Sequence, residues 1–403
     1  MPHNAPSDHK SSDHKPAGCK PAQEHPHVLV DARFAADQRG GDRCRYELAA
    51  NLIRQGLARY TLLAYPHAAS MLSVASPIVT TSWHPASHPG ADIYEHLTLP
   101  LTARRLKADI YHGTFQVLPL LRPAPATVLT VHDMAVFAHP QGYGRRFAAF
   151  MRRLLRMGIL SADRIITVSE ATKQEMIRYF PNVEAKTVPI LNGVGQEFLD
   201  AATLPAGPVM DVRQRYGLAH PYILFVGNLE PKKNLPRLIE AFKRLRASSQ
   251  IVHELVIVGK PLAEGPVSGI AAEDVRRGDI RFTGYVEDRD LPLLYRGADL
   301  VAYPSLYEGF GMPVLEGMAA GVPVLTSSVS SLPEVAGGAA MLVDPFDTEA
   351  VAEGLHMALT DTRWRSQAVE AGSRRASQLL WAENAGKTAS VYHELYEAVR
   401  SRP

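Results

Sequence analysis

Short apolar runs recur along the chain, each followed by a longer stretch with a helix-like pattern. The runs at 222–226 and 255–258 are apolar at every position, which is typical of parallel strands covered on both faces. This alternation predicts an α/β fold built from two Rossmann-like halves. We expect strands at 27–32, 61–64, 109–112, 127–131, 165–168, 222–226, 255–258, 281–283, 299–303 and 322–326.

A segment rich in proline, alanine and glycine separates two groups of predicted strands. It covers 203–208 and has no apolar period, so we expect a linker there. We therefore assign residues 27–202 to a first Rossmann-like domain and residues 209–384 to a second one.

Residues 1–26 contain proline, serine, histidine and lysine with almost no large apolar side chains, and SDHK occurs at 7–10 and again at 12–15. Such a segment cannot bury enough apolar surface to fold, so we expect a disordered tail. Its histidines could bind a metal ion, but they have no fixed spacing, and we assign the tail no role. They are His3, His9, His14, His25 and, just beyond, His27.

The stretch 307–321 reads YEGFGMPVLEGMAAG and lies between a predicted strand and a predicted helix. The strand ends at Pro304, and the helix should begin at Pro313 because proline suits the first helical position. Gly309 and Gly311 let the loop backbone approach a ligand closely. Free N–H groups in the loop and at the helix start would form a site suited to a diphosphate.

Two carboxylates flank this predicted anion site. Glu308 lies in the loop, and we place Glu316 on the first turn of the helix. Each could accept hydrogen bonds from sugar hydroxyl groups, which suits a nucleotide sugar. The alternative is that Glu308 is a solvated loop residue and that Glu316 is a first-turn acid favoured by the helix dipole.

Further motifs occur in a specific order: VHD at 131–133, NGV at 192–194, FVGNLEPKKNL at 225–235 and FTGYV at 282–286. With the 307–321 stretch they resemble the E-x7-E family of retaining GT-B glycosyltransferases, the group 1, mannosyltransferase-like family, over about residues 27–400. The resemblance implies a GT-B fold, in which two Rossmann-like domains face each other across a cleft. It also implies that a C-terminal helix, at about 385–403, crosses back onto the first domain.

The resemblance assigns catalytic roles to three residues. Glu308 would contact the transferred sugar, and His132, at the end of a predicted strand, would lie beside that sugar and the attacking hydroxyl group. Lys233 would place its ammonium group on the diphosphate and neutralise the charge that grows as the nucleotide leaves. The residues alone leave open a purely structural role for His132.

The same resemblance assigns donor binding to a second group of residues. Glu316 would hold the ribose, and the backbone near Gly284 and Tyr285 would hold the edge of the base. Asn228 stands where the family carries an arginine, so Lys232 or a neighbouring arginine would have to supply that charge. The full group is Asn228, Lys232, Gly284, Tyr285, Gly309, Phe310, Gly311, Met312 and Glu316.

Relatives carry a GIGRY-like loop after the first strand, where this chain reads GDRCRY. Asp42 and Arg43 replace small residues, which argues against phosphate contact by this loop. We assign Gly41, Arg45 and Asp133 to the acceptor side. For Arg45, an exposed position on a helix remains the alternative.

Composition narrows the class of protein. The chain has 403 residues, of which 46% are hydrophobic and 21% charged, as in an ordinary globular enzyme. Its net charge of +2 favours no nucleic-acid partner. The two cysteines, Cys19 and Cys44, form neither a disulfide framework nor a four-ligand metal set, which favours a reducing compartment. We find no apolar run of about 20 residues and no secretory leader, so we expect a cytoplasmic protein.

The segment 143–160 predicts an amphipathic helix in which arginines lie beside apolar residues. Such a helix can dock on anionic lipid, which would place the protein peripherally on the inner face of a membrane. A domain helix with a solvated basic face is the alternative. The arginines are Arg145, Arg146, Arg152, Arg153 and Arg156.

We therefore expect a retaining glycosyltransferase that moves a hexose of mannose or glucose type from a GDP- or UDP-sugar to a saccharide or lipid-linked saccharide, in polysaccharide or glycolipid assembly. No other cofactor is implied, and the chain has no Asp-x-Asp-like pair at the expected diphosphate site, so we expect no metal ion. No carboxylate is spaced like the nucleophile of ordinary retaining chemistry, about 5 Å from an acid. This favours front-face attack with the departing diphosphate as base. The alternatives are a GT-B sugar-nucleotide epimerase and a non-catalytic sugar-binding scaffold.

Overall fold

The computed structural model describes residues 25–34, 40–72, 76–81, 94–259 and 278–401. The predicted α/β class is confirmed, because the strands of these residues form two sheets in which neighbouring strands are parallel. The prediction of a disordered tail concerns residues that lie almost wholly outside the described ranges, among them Cys19, His3, His9 and His14.

The first domain contains a sheet with the strand order β3-β2-β1-β4-β5-β6-β7 among the described residues. Its strands are His27–Asp31 (β1), Arg59–Ala64 (β2), Ile78–Thr80 (β3), Ile110–Gly113 (β4), Ala126–Val131 (β5), Arg164–Thr167 (β6) and Thr187–Pro189 (β7). β1, β4 and β5 are buried at every position, as is typical of parallel strands covered on both faces.

Helices cover both faces of this sheet. They are Gly41–Gln55 (α1), Pro66–Met71 (α2), Leu99–Arg105 (α3), Ala135–Ala138 (α4), Arg145–Ser161 (α5) and Glu170–Tyr179 (α6), with short 3-10 or π segments at Tyr94–Thr98, Pro140–Gly142 and Pro181–Lys186. One apolar core lies between the sheet and α1, and a second core on the opposite face includes residues of α3, α5 and α6.

The second domain contains a sheet with the strand order β10-β9-β8-β11-β12-β13 among the described residues. Its strands are Tyr222–Val226 (β8), Glu254–Val258 (β9), Ile280–Gly284 (β10), Leu300–Tyr303 (β11), Val324–Ser327 (β12) and Met341–Val343 (β13). Its helices are Gln196–Ala201 (α7), Ala206–Arg215 (α8), Leu235–Ser248 (α9), Leu291–Arg296 (α10), Met312–Ala319 (α11), Leu332–Ala336 (α12), Thr348–Thr360 (α13) and Thr362–Ser377 (α14), with a 3-10 turn at Pro231–Lys233. α7 packs into the core of this domain through Phe198, although the sequence placed residues 27–202 in the first domain.

Each sheet has one point where the strand order reverses. It lies between β1 and β4 in the first domain and between β8 and β11 in the second. Ligands of open α/β sheets bind outside the carboxyl ends of the strands at such points. Lys233 follows β8 and Glu308 follows β11, so the topology brings these two predicted site residues together.

The described chain passes between the domains at two places that lie side by side. Val194 and Leu380 form a parallel bridge, and the Val194 N–H donates to the carbonyl of Leu379 at 2.9 Å. A Cβ atom on Gly193 would lie 2.0 Å from the backbone nitrogen of Trp381. Only glycine therefore fits at position 193.

After the second crossing, the helix Trp381–Arg400 (α15) packs on the first domain. It begins earlier than the predicted start near residue 385 and adds Trp381, Ala385, Ala389, Tyr392 and Leu395 to the core beside α1. The hydroxyl group of Tyr392 lies 2.6 Å from Nδ1 of His112, whose Nε2 lies 2.8 Å from Oγ1 of Thr130. Burial lowers the pKa of His112 to about 3, so this imidazole is neutral.

Two element predictions were wrong in position. The segment 203–208 is not wholly a linker, because α8 begins at Ala206. Pro208 is tolerated there since the first N–H groups of a helix need no intrahelical acceptor. The helix predicted to begin at Pro313 begins at Met312, with the proline in its first turn.

Candidate active site between the two domains

A cleft of about 760 Å³ lies between the two domains and is lined by residues of both. Most of the residues that the sequence singled out lie in its wall. They are Gly41, His132, Asp133, Asn228, Lys232, Lys233, Glu308, Gly309, Phe310, Gly311, Met312 and Glu316.

Glu308 is the centre of a buried hydrogen-bond network. Its Oε1 accepts from Nζ of Lys233 at 2.6 Å, from the hydroxyl group of Tyr303 at 2.7 Å and from Oγ of Ser305 at 2.8 Å. Burial works against ionisation, but the charges of Lys233 and Lys232 outweigh it and hold the pKa of this carboxyl below its ordinary value. Glu308 is therefore a fixed carboxylate and not a solvated loop residue, and its Oε2 has no partner among the described residues.

Lys233 is held at the carboxyl end of β8 by the turn that carries it. Asn234 follows with a φ of 61°, and its side-chain amide donates to the carbonyl groups of Pro304 and Pro345 at 3.0 and 2.7 Å. The turn is thus tied to the end of β11. The ammonium group of Lys233 also donates to the hydroxyl group of Tyr303 at 2.7 Å, so one of its three N–H groups remains for a ligand.

Lys232 is the second cation of the cleft wall. Its Nζ lies 3.7 Å from a carboxylate oxygen of Asp133 and 3.7 Å from one of Glu230. Burial lowers the pKa of Lys232, but Asp133 and Glu308 outweigh this effect and raise it, so the ammonium form is kept. Asn228, which occupies the position of the family arginine, is exposed in the same wall.

Glu316 lies beyond the first turn of α11, so both the predicted position and the dipole-based alternative were wrong. Its side chain is buried and accepts a hydrogen bond from the hydroxyl group of Tyr295 at 2.7 Å. Burial raises the pKa of Glu316, and the charge of Arg43 partly opposes this effect. Hydrogen bonds from the hydroxyl groups of a ligand would favour the ionised form of this carboxyl and oppose the effect of burial.

The two loop glycines are required by packing. A Cβ atom on Gly309 would lie 1.7 Å from the carbonyl oxygen of His132 in the other domain. Gly311 has a φ of 106° and caps α11, and a Cβ there would meet the side chain of Leu332 at 2.5 Å. At the start of α11, Pro313 has no N–H and the N–H of Val314 donates to the carbonyl of Gly311 at 3.0 Å. The N–H groups of Gly311 and Met312 have no acceptor among the described residues, and both residues line the cleft together with Lys233, as an anion site requires.

His132 follows β5 and faces the cleft from the first domain. Its Nε2 lies 2.8 Å from the carbonyl oxygen of Thr114, which can only accept, so Nε2 carries the proton and Nδ1 is an acceptor. Burial lowers the pKa of His132, so the ring is neutral near pH 7. Oδ1 of Asp133 accepts from the N–H of Ala135 at 3.0 Å, so this side chain fixes the loop and not the imidazole.

Arg43 and Arg45 lie differently from what the sequence suggested. Arg43 lines the cleft, pairs with Glu197 and lies 4.9 Å from the ring centre of Phe198. No role was predicted for Arg43. Arg45 does not line the main cleft, and the alternative of an exposed helix residue is also wrong, because its side chain is only 14% exposed and lies 4.4 Å from the ring centre of Phe115.

Gly284 ends β10 and Tyr285 follows it, and both lie outside the cleft lining, although they were assigned to the base of the nucleotide. Tyr285 is 49% exposed. The lining on this side instead includes Val286, Asp288 and Leu291. A pattern of short motifs identifies the segment but not which of its residues faces the cleft.

An apolar wall continues the cleft on the first domain, and the sequence did not reveal it. It is formed by Val136, His139, Tyr143, Phe147 and Met151, of which Phe147 is 53% exposed. The last two belong to α5. The amphipathic pattern of that helix was a usable signal, but it did not show that one edge of the helix borders the cleft.

The outer face of α5 is basic and apolar at once. Phe150, Met157 and Leu160 are between 38 and 50% exposed. Arg152 does not belong to this face, because its Nε donates to the carbonyl of Val136 at 2.6 Å. The other four arginines, Arg145, Arg146, Arg153 and Arg156, are exposed and pair with no acidic residue of the described ranges.

The described residues contain neither a cluster of metal ligands nor a membrane-spanning helix. No group of three or more histidine, cysteine, aspartate or glutamate side chains in those ranges could hold a metal ion. No helix in them is long and apolar enough to cross a membrane.

Comparison with known proteins agrees with this geometry. Residues 39–198 match the family model described as Glycosyltransferase Family 4, and residues 213–375 match the one described as Glycosyl transferases group 1. O-antigen chain mannosyltransferase B of Escherichia coli is 35% identical over 291 residues, which are 72% of this chain and 75% of that protein. The serotype-specific mannosyltransferase WbdA of Escherichia coli is 30% identical over 64% of this chain but only 32% of its own length.

Among solved structures, Anabaena HepE in complex with UDP and glucose superposes with a TM-score of 0.72 over 92% of this chain and 100% of its own. At 18% sequence identity this likeness concerns the fold alone. The predicted GT-B architecture is confirmed. Together with the two family models, the long match to the first Escherichia coli protein shows that the chain belongs to the group 1, mannosyltransferase-like family and is a glycosyltransferase.

Proposed function

We propose that this glycosyltransferase moves a hexose from a nucleoside-diphosphate sugar to a hydroxyl group of a saccharide acceptor, with retention of the anomeric configuration, in polysaccharide assembly. The observation that carries the proposal is the ionised Glu308, which is paired with Lys233 at the carboxyl end of β11. Two Escherichia coli relatives are named mannosyltransferases, which favours mannose as the sugar.

In the proposed complex the diphosphate lies on the N–H groups of Gly311 and Met312 at the start of α11 and on the free N–H of Lys233. Both are donors aimed at a position where negative charge grows as the sugar leaves. Lys232, rather than an arginine at the position of Asn228, supplies the second positive charge. Glu316 accepts hydrogen bonds from the ribose, and Oε2 of Glu308 accepts them from the sugar.

The proposed chemistry is front-face attack. The bond between the anomeric carbon and the diphosphate oxygen breaks, the acceptor oxygen bonds to that carbon on the same face, and the acceptor proton passes to the departing diphosphate. Glu308 would be a poor nucleophile, because three donors hold its Oε1 and leave the carboxylate little freedom to approach the anomeric carbon. His132 is neutral, and its Nδ1 can accept a hydrogen bond from a hydroxyl group beside the reacting carbon.

We propose that the acceptor saccharide is lipid-linked and enters along the apolar wall of the first domain. Phe147 and Met151 in that wall belong to α5, whose outer face carries four arginines without acidic partners in the described ranges and three exposed apolar side chains. Such a face suits an anionic lipid surface. A peripheral position at the membrane would bring a lipid-linked acceptor to the mouth of the cleft.

The proposal is tested by incubating the protein with GDP-mannose or UDP-glucose, each with and without methyl α-D-mannopyranoside. We expect nucleoside diphosphate to be released faster with the acceptor present and a disaccharide whose new anomeric centre, assigned by NMR, has the configuration of the donor. An inverted centre would contradict retention. Conversion of the donor sugar without transfer would indicate an epimerase, and binding without turnover of either donor would indicate a scaffold.

A further inference from the structure

The loop that carries Glu308 is held partly by the other domain. The carbonyl oxygen of Gly309 accepts from Oγ of Ser169 at 2.6 Å and from Oγ1 of Thr172 at 3.0 Å. Both hydroxyl-bearing residues belong to the start of α6 in the first domain and are at most 2% exposed. Buried hydroxyl groups need partners, and here the partner is a backbone carbonyl of the second domain.

Ser169 has two functions at this junction. Its Oγ accepts from the N–H of Thr172 at 3.0 Å and so caps α6. Its own proton can go to the carbonyl of Gly309 at 2.6 Å or to Oγ1 of Thr172 at 3.0 Å, and the shorter distance favours the carbonyl. A carboxylate of the second domain completes the arrangement, because Glu334 accepts from the N–H groups of Glu170 and Ala171 at 2.9 and 3.0 Å.

A second contact fixes the same loop two residues earlier. The hydroxyl oxygen of Tyr307 accepts from the N–H of Met134 at 2.9 Å, and its proton goes to the carboxylate of Glu175. The ring of Tyr307 packs on that of His139 with centres 4.7 Å apart. The first domain therefore holds the loop on both sides of Glu308.

The peptide of Glu308 itself is held by its own domain. Its N–H donates to Oγ of Ser330 at 2.9 Å, and its carbonyl accepts from Oγ of Ser331 at 2.9 Å. The next carbonyl, that of Gly309, accepts a hydrogen bond from Ser169 at the start of α6. The Cα of Gly309 packs against the carbonyl of His132. One peptide unit thus links Glu308 to His132 across the domain boundary.

We propose that Ser169 and Thr172 are positioning residues of the transfer reaction, which set the placement of Glu308 relative to His132 through the carbonyl of Gly309. The inference rests on the proposed function, in which the side chains of Glu308 and His132 face the transferred sugar. Placement errors of about 1 Å at a reacting centre can reduce turnover about 10²-fold. Loss of both hydroxyl donors should therefore slow transfer while leaving the nucleotide part of the site in place.

The test uses side-chain pairs of matched shape in the full-length protein. Thr172→Val removes the donor but keeps the volume, and Thr172→Ser keeps the donor. Ser169→Ala combined with Thr172→Val removes both donors. Asp361→Ala removes the cap of α14, whose carboxylate accepts from the N–H of Trp364 at 2.9 Å, and serves as the control for loss of a helix cap.

Two measurements are made on each variant: kcat and KM for GDP-mannose with methyl α-D-mannopyranoside, and hydrogen exchange of peptides covering residues 304–316. For the double variant we expect at least about a tenfold lower kcat and a KM within about threefold of the unaltered value. Exchange in the loop should rise with Thr172→Val and not with Thr172→Ser or Asp361→Ala.

The outcomes separate this inference from the proposed function. An unchanged kcat and unchanged loop exchange in the double variant would overturn it, as would an equal loss of kcat in Asp361→Ala. If the unaltered protein does not turn over GDP-mannose, the donor assignment fails. Loop exchange then still decides whether the two hydroxyl groups hold the loop.

Discussion

At the scale of single residues, the ionised state of Glu308 governs what it can contribute. Three donors converge on Oε1, and two lysine charges keep the carboxyl ionised. We expect Glu308→Gln to lower kcat about 10²-fold, because a neutral amide is a weaker acceptor and leaves Lys233 without its counter-charge. Affinity for free GDP, measured by calorimetry, should change little, since the partner of Glu308 is the sugar.

Glu353→Gln is the matched control for that change, because Glu353 is exposed on α13. Losses of similar size in kcat and in GDP affinity would show that Glu308 holds the nucleotide rather than the sugar.

Glu316 should make nucleotide binding depend on pH. Burial raises its pKa above the ordinary value of 4.5, and only the ionised carboxylate accepts hydrogen bonds from both ribose hydroxyl groups. A ligand that prefers the ionised form binds less tightly as the pH falls through this raised pKa. We expect GDP affinity, measured by calorimetry from about pH 7 to about pH 5, to fall more steeply for the unaltered protein than for Glu316→Gln.

At neutral pH the same variant should bind GDP about 1 to 3 kcal/mol more weakly, because a charged acceptor is lost. The diphosphate of GDP also takes up a proton in this range. The contribution of Glu316 is therefore measured as the difference between the pH curves of GDP affinity of the two proteins. Parallel pH curves would rule out Glu316 as the titrating group.

Some single-residue roles were accessible from the sequence and others were not. The roles of Glu308 and Lys233 could be predicted because their motifs resemble those of a known family. In the structure both residues follow buried strands at the point where the strand order reverses. Arg43 could not, because its direction depends on the angle at which α1 meets α7 of the other domain. The packing need for Gly309 likewise appears only when the two domains are in contact.

At the scale of elements, α5 is expected to bind anionic membranes. Each exposed arginine near such a surface contributes about 1 kcal/mol. Changing Arg146, Arg153 and Arg156 to Gln should therefore release the protein from anionic vesicles in co-sedimentation, while hydrolysis of GDP-mannose stays intact. Binding of the unaltered protein should also weaken with salt, because exposed charges are screened beyond about 8 Å at physiological ionic strength.

A second triple variant, with Arg244, Arg289 and Arg374 changed to Gln, removes the same charge from exposed positions of the second domain and should stay bound. If the unaltered protein remains in the supernatant with anionic vesicles at low salt, the outer face of α5 is a solvated surface and the acceptor need not be lipid-linked.

Elements with strong local signals could be predicted, and those set by tertiary context could not. Continuous apolar runs identified β8 and β9, since a strand buried on both faces tolerates few polar residues. The start of α8 was missed because proline, glycine and alanine are allowed in a first turn as well as in a linker. The start of a helix can be predicted only to within one or two residues, and for this reason Glu316 was wrongly placed in the first turn of α11.

At the scale of the whole molecule, charge compensation in the cleft should not require a metal ion. Lys232, Lys233 and the N-terminus of α11 line one wall, and no cluster of potential metal ligands occurs in the described residues. We expect transfer from GDP-mannose to survive an excess of EDTA. Loss of activity with EDTA, followed by recovery with Mg²⁺ or Mn²⁺, would show that a metal ion replaces part of this positive charge.

The overall architecture was predicted from two kinds of information. Alternating strands and helices were sufficient for two Rossmann-like domains. The prediction that α15 returns to the first domain came from the family resemblance. The amphipathic pattern of a helix does not by itself reveal which sheet the helix covers.

The side-by-side crossings at Val194 and Leu380 determine the order in which this protein can finish folding on the ribosome. In chain order the second domain is an insertion within the first, between residues 194 and 380. The last part of the first core, with Tyr392 over His112, is supplied by the helix that is synthesised after the whole second domain. Nascent domains generally fold as units as they emerge. Here the first domain emerges with an apolar face still uncovered, and it is completed only after the second domain has been made.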